Sequence, residues 1–154
     1  MKRLFFATCF LCSTLCLQAQ DKAAILQHNA SFEGAESHLP TYKVIYQLDS
    51  NQPDVVKKAF RNIRNLLGDP RLIGKLNVEL ITFSGGTEVM LKTSPYHDEL
   101  VDLIERGVQV AQCTNSLQER KLQKEDIYPF IAFVPSGNGE LVIRGAEGWV
   151  IIKP

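Results

Sequence analysis

Beyond its first twenty positions this sequence has almost no cysteine. Of the four it contains, Cys9, Cys12 and Cys16 fall in that opening stretch, and Cys113 is the one that remains. A single thiol excludes an internal disulfide framework. The spacing Cys9-x-x-Cys12 belongs to an apolar run and is not read as a redox pair. Histidine is scarce as well: His28 and His38 lie in a polar stretch, and His97 stands beside Asp98 and Glu99. No cluster has the spacing of a metal site, so no metal is expected. No cofactor is expected either, because the glycines of Ser84-Gly85-Gly86-Thr87 lack the spacing of a dinucleotide or P-loop motif. An excess of positive charge is also missing, with 17 basic residues against 17 acidic. That balance argues against a nucleic-acid surface. After the opening stretch there is no run long enough to span a bilayer, no internal repeat and no low-complexity tract.

What is present begins with the layout of a secretory signal over residues 1–19. Lys2 and Arg3 give the positive start, Leu4 to Leu17 carry no charge, and Leu17-Gln18-Ala19 offers a small residue at the cut. The apolar stretch is short for a membrane span. The expected destination is the periplasm or another exported location. A lipoprotein anchored through Cys16 is disfavoured, because Leu15 is bulky where a small residue should precede the acylated cysteine. Without Lys2 and Arg3, 15 basic residues face 17 acidic ones, and the mature chain is mildly acidic. Residues 20–40 read as a polar lead-in with one short helix, and 41–154 as one domain of ordinary size, large enough for a core without staples.

From Lys43 the pattern alternates. Lys43 to Leu48 reads as a buried strand, and Asp49 to Pro53 as the capped start of a helix. Val56, Ala59, Phe60, Ile63, Leu66 and Leu67 recur at helical spacing, with Lys57, Lys58, Arg61 and Arg64 on a solvated face. Leu76 to Phe83 is a second strand. Ser94-Pro95 opens a helix that Gly107 stops, Val108 to Gln112 is a third strand, and a short helix follows near Ser116 to Leu122. Pro129 to Val134 is a fourth strand, and Leu141 to Ile143 and Val150 to Ile152 read as short extended pieces. Parallel strands need crossovers, so this alternation predicts a three-layer α/β/α domain with a mainly parallel sheet.

Ligands of such sheets collect beyond the carboxyl ends of the strands. Cys113 falls there, directly after the third strand. Ser116 and Glu119 have the spacing of a capping box, so the thiol is expected to face the amides at a helix N-terminus. That setting favours thiolate, the nucleophilic form. A buried structural cysteine fits the same position, and the sequence leaves both open. Ser84, Gly85 and Gly86 form a second loop, which is either a plain turn or an anion-binding nest.

The run Gly107 to Leu117, with Cys113-Thr114-Asn115-Ser116 at its centre, resembles the cysteine segment of the DsrE/DsrF-like proteins, in particular their YchN-like branch. Lys43 to Leu48, Asn62 to Leu67, Val134-Pro135-Ser136-Gly137, Glu147-Gly148-Trp149 and Ile152-Lys153-Pro154 are similar to further family segments, in the family's order. The resemblance spans about Lys43 to Pro154. It implies a compact α/β/α domain that forms homo-oligomers, with Cys113 accepting sulfur as a persulfide from a donor protein or passing it to an acceptor. Thr114, Asn115, Ser116, Ser84, Gly85 and Gly86 would then line the site. The chain departs from its relatives in two respects. It has Phe83-Ser84-Gly85-Gly86 where they often carry His-Gly before a second glycine, and it carries an export signal although such relays usually work in the cytoplasm. Two functions are therefore carried forward: a sulfur relay through Cys113, and a non-catalytic binding or assembly module in which Cys113 is structural.

Overall fold

The computed structural model describes residues 21–154. The expected signal at 1–19 lies outside the described residues. These fall into a first unit that ends at Glu36 and a second that runs from Ser37 to Pro154. In the first, residues 21–30 form a helix (α1) with an exposed surface. Ser31 closes it, its amide donating to Gln27 O at 2.9 Å and its hydroxyl to His28 O at 2.8 Å.

The second unit is an open sheet of five parallel strands in the order β4-β3-β2-β1-β5. The strands are β1 (Tyr42–Leu48), β2 (Leu76–Thr82), β3 (Gln109–Cys113), β4 (Ala132–Val134) and β5 (Val150–Ile152). The helices between them are α2 (Pro53–Leu67), α3 (His97–Glu105), α4 (Thr114–Glu119) and α5 (Gly137–Ala146). Tight 3-10 turns at Ser84–Met90 and Lys124–Asp126 complete the connections. The fold is the expected α/β type with a parallel sheet.

Side chains of a strand alternate between faces, and here they feed two separate clusters. Val44, Tyr46, Leu48, Val78, Leu80 and Val110 meet Val56, Phe60 and Ile63 of α2, Leu100 and Leu103 of α3, and Leu117 of α4. Ile45, Ile81 and Ala111 meet Leu141 of α5 on the other face. The topology accounts for this division. Steps from β1 through β4 move in one direction across the sheet, and right-handed crossovers then place their helices on one face. The last step jumps back from β4 to β5 beside β1, which sends α5 to the opposite face.

That jump corrects one sequence expectation. Leu141 to Ile143 is not an extended piece but part of α5. Three consecutive apolar residues hide a helical period in which only Leu141 is buried, while Val142 and Ile143 are exposed. The helical signals are polar: the Ser136 hydroxyl caps the helix by accepting from the Gly139 amide at 3.1 Å, and Glu140 pairs with Arg144 one turn on at 2.9 Å. The fourth strand is also shorter than expected, because the Ile131 amide turns back to Tyr128 O at 3.1 Å.

Candidate functional site

The β3–β4 boundary is where the sheet changes hands. The chain leaving β3 enters α4 on the first face, and the chain leaving β4 enters α5 on the second. Neighbouring strands whose connections part in this way define the topological switch point, where open parallel sheets bind ligands. Cys113 is the last residue of β3 and pairs with Val134, the last of β4. By alternation its thiol shares the second face with Ala111.

The expectation for α4 needs revision. The helix begins at Thr114 with Cys113 itself as the N-cap residue, so Ser116 and Glu119 lie inside it and form no capping box. Ser116 instead accepts from the Ser84 amide at 3.0 Å, which ties the β2 loop to α4. The start of α4 engages a backbone oxygen. Asn115 N–H donates to Pro135 O at 3.3 Å, and the Thr114 hydroxyl donates to the same oxygen at 3.2 Å. Cys113 Sγ lies 4.0 Å from Pro135 O, and the residue is 4 % exposed. The backbone carbonyl of the β4–α5 turn thus gathers Cys113, Thr114 and Asn115 around one acceptor.

Beneath the thiol lies a polar network that sequence reasoning did not single out. Gln112 is fully buried on the first face. Its side-chain oxygen accepts from Thr82 at 2.7 Å, and its amide nitrogen donates to Thr87 at 3.0 Å and to Cys113 O at 2.8 Å. Buried polar groups of this kind fix a local geometry when each is satisfied. The Gln112 amide therefore latches the peptide that joins Cys113 to α4.

The loop Ser84-Gly85-Gly86 does meet the Cys113 segment, through Ser84 and Ser116. Ser84 is exposed and has a φ of 47°, a left-handed conformation uncommon for a residue with a side chain. Gly86 faces the sheet: a Cβ there would stand 2.0 Å from Leu48 O, so only glycine permits this approach. Its amide donates to Phe83 O at 2.9 Å. Gly85 backs onto Asp49 in the same way, where a Cβ would meet Asp49 O at 3.1 Å. The pair packs a turn against β1, and the amides of Ser84 and Gly86 are already engaged.

His97 is held elsewhere, 2.8 Å from Asp98 and edge-on to the rings of Tyr128 and Phe130. Among the described residues, no hydrogen bond links it to Cys113, and no group of three or more His, Cys, Asp or Glu could hold a metal. None of their helices is long and apolar enough to cross a membrane.

A second group that the sequence reading passed over lies on the second face. Glu79, in the middle of β2, is 1 % exposed and accepts from Arg144 Nε at 2.9 Å. Arg144 also pairs with Glu140 and Glu147 and lies 4.3 Å from the Trp149 ring centre, which places Trp149 against this charge. Burial raises the Glu79 pKa above its ordinary value, although Arg144 pulls the other way. An acid in the middle of a strand flanked by Val78, Leu80 and Ile81 was the available signal, and its partner lies 65 residues away.

An open parallel sheet with a lone cysteine at its switch point defines a class of small α/β domain rather than an activity. The chain belongs to the DsrE/DsrF-like family, whose model matches residues 51–154. Similar solved structures include two proteins of unknown function. A protein of unknown function from Methanobacterium thermoautotrophicum, MTH1491, is 29% identical, with a TM-score of 0.69 over 73% of this chain and 99% of that one. A conserved protein of unknown function from Bacteroides thetaiotaomicron, BT1422, shares the fold at 12% identity, with a TM-score of 0.60 over 73% of this chain and 94% of that one. No curated protein matches the chain.

Proposed function

We propose that this chain is an exported sulfur carrier of the DsrE type, close to the YchN-like branch, in which Cys113 bears the sulfur as a persulfide. The observation that carries the reading is the place of Cys113 at the switch point between β3 and β4, in a chain of this family. The Cys113 thiolate attacks a sulfane sulfur of the donor. A new S–S bond forms on Cys113, the donor S–S bond breaks, and its electron pair leaves with the shortened donor. The persulfide, itself a nucleophile, is then open to transfer to an acceptor protein. Ser84, Thr114, Asn115 and Ser116 form the rim, and Gly85 and Gly86 hold it against β1. Because Cys113 is 4 % exposed, loading requires a local opening of the Pro135–Ser136 turn. Val142, Ile143, Val150 and Ile151 are exposed on α5 and β5 and support a homo-oligomer that covers them. Export rests on the signal-like residues 1–19.

The test is the intact mass of the purified protein after exposure to inorganic polysulfide. One sulfur, roughly 32 Da, is expected on Cys113 and none on Cys113→Ser. An unmodified wild-type chain would end the carrier reading.

A second reading is favoured by the burial of Cys113 and its approach to Pro135 O. In it the domain is a binding or assembly module and the thiol is structural. Under that reading Cys113→Ser leaves partner binding unchanged, and polysulfide adds no mass.

A further inference from the structure

A cleft of about 680 Å³ opens on the first face, lined by the connections that leave the carboxyl ends of β1, β2 and β3. It does not include Cys113. Its volume lies within the range of about 300–1,000 Å³ typical of small-molecule sites, and its position is where open parallel sheets bind ligands.

The lining has a defined polarity. Val89, Leu91 and Leu122 contribute its apolar part. At one end Glu88 and Arg120 stand side by side as an ion pair, the carboxylate also accepting from the Asn51 amide. Both side chains remain partly open, Glu88 by 43% and Arg120 by 32%. Arg120 uses Nη2 for Glu88; among the described residues its Nε and Nη1 make no hydrogen bond. The second hydrogen of Nη2, together with Nε or Nη1, leaves a guanidinium edge that can donate to a carboxylate in two parallel bonds. A carboxylate alone would sit beside Glu88 and be repelled. A ligand that also carries an ammonium group answers both charges at once, with the ammonium on Glu88 and the carboxylate on Arg120.

We propose that this cleft binds a small zwitterionic amino acid, its ammonium and carboxylate paired with Glu88 and Arg120 and its apolar side chain along Val89, Leu91 and Leu122. Thr93 and Tyr96 also line the cleft. The assignment is independent of sulfur transfer at Cys113, because its readout is binding.

The test is a titration of the full chain with L-leucine, 4-methylpentanoate (the carboxylate alone) and 3-methylbutan-1-amine (the ammonium alone). It is followed by amide NMR shifts and calorimetry. L-leucine is expected to shift Thr93, Tyr96 and Arg120, and each analogue to bind at least about tenfold more weakly, as loss of one charge-assisted contact implies. Glu88→Gln and Arg120→Gln should each weaken L-leucine by a similar factor. Arg120→Lys, which keeps the charge and loses the fork, serves if Arg120→Gln disturbs the fold. Equal binding of 4-methylpentanoate, no response to any of the three probes, or L-leucine binding unchanged by the substitutions would each overturn the proposal.

Discussion

The two faces of the sheet are built differently. The first is covered by α2, α3, α4 and both 3-10 turns, and its cluster holds most of the fully buried side chains. Among the described residues of the second unit, α5 is the one helix on the second face, and its cluster has four buried members. Yet the second face carries a buried carboxylate, Glu79, paired with the partly exposed Arg144, and it receives the Cys113 thiol. The contrast suggests a division of labour. Apolar packing on the first face holds the domain together, while the thin second face spends its one helix on positioning charge and the switch-point turn.

Breaking the ion pair should give the largest effect. Arg144→Met strands a buried carboxylate and is expected to cost about 3–5 kcal/mol in urea unfolding. Adding Glu79→Leu should recover a large part of that loss, since an apolar pair of similar volume replaces both charges. A double variant no more stable than Arg144→Met would mean that the pair is not the organising contact of this face.

Matched leucine truncations sharpen the comparison next. Leu100 is 0% exposed in the first cluster and Leu141 is 9% exposed in the second. Leu100→Ala should cost about 3–5 kcal/mol, and Leu141→Ala about 2 kcal/mol, near the low end for such changes. Equal losses would remove the distinction between a thick and a thin face.

The Gln112 latch lies on the first face, behind the peptide that joins Cys113 to α4. Gln112→Met leaves Thr87 and Cys113 O without this partner, while Thr82 keeps Ala111 O as an acceptor, and should cost about 1–3 kcal/mol. The peptide that joins Cys113 to α4 should loosen, seen as faster amide hydrogen exchange in residues 113–117 than in α3.

The smallest effect is a pH dependence. The raised Glu79 pKa means that the folded state holds this proton more tightly than the unfolded one. Stability from this group is therefore present at low pH and lost as pH rises through the folded pKa. As pH falls from 7 toward the ordinary glutamate value of about 4.3, the wild type should gain stability relative to Glu79→Gln. Asp49 acts in the opposite sense: its hydrogen bond to Lys153 lowers its pKa, so its contribution is lost on acidification. Urea midpoints at pH 7 and pH 5 for Glu79→Gln, and at pH 5 and about pH 3 for Asp49→Asn, separate the two, because Asp49 stays ionised above the ordinary aspartate value of about 3.9.

Much of the fold is legible in the sequence because it is written in local periods. Val44 to Leu48 and Val78 to Thr82 read as strands, Val56 to Ile63 as a helix, and the position of Cys113 at the end of a strand follows from Val108 to Gln112. The helix α5 is not legible in this way, since Leu141-Val142-Ile143 is rich in β-branched residues and only its capping serine and the Glu140–Arg144 pair mark it as helical. The site is less legible still. Gln112 meets Thr82 across 30 residues, Cys113 meets Pro135 across 22, and Glu79 meets Arg144 across 65. No periodicity encodes such contacts; the crossover topology creates them.

The most direct test of the account is the rate of iodoacetamide labelling of Cys113 in the folded protein and in Leu100→Ala, at a urea concentration where both remain folded. If the thiol is reached through local opening of the Pro135–Ser136 turn, as a sulfur carrier needs, the two rates should agree. If only global unfolding exposes it, the loss of about 3 kcal/mol on the first face should speed labelling about a hundredfold or more. That result would contradict the carrier account and leave Cys113 as a structural residue.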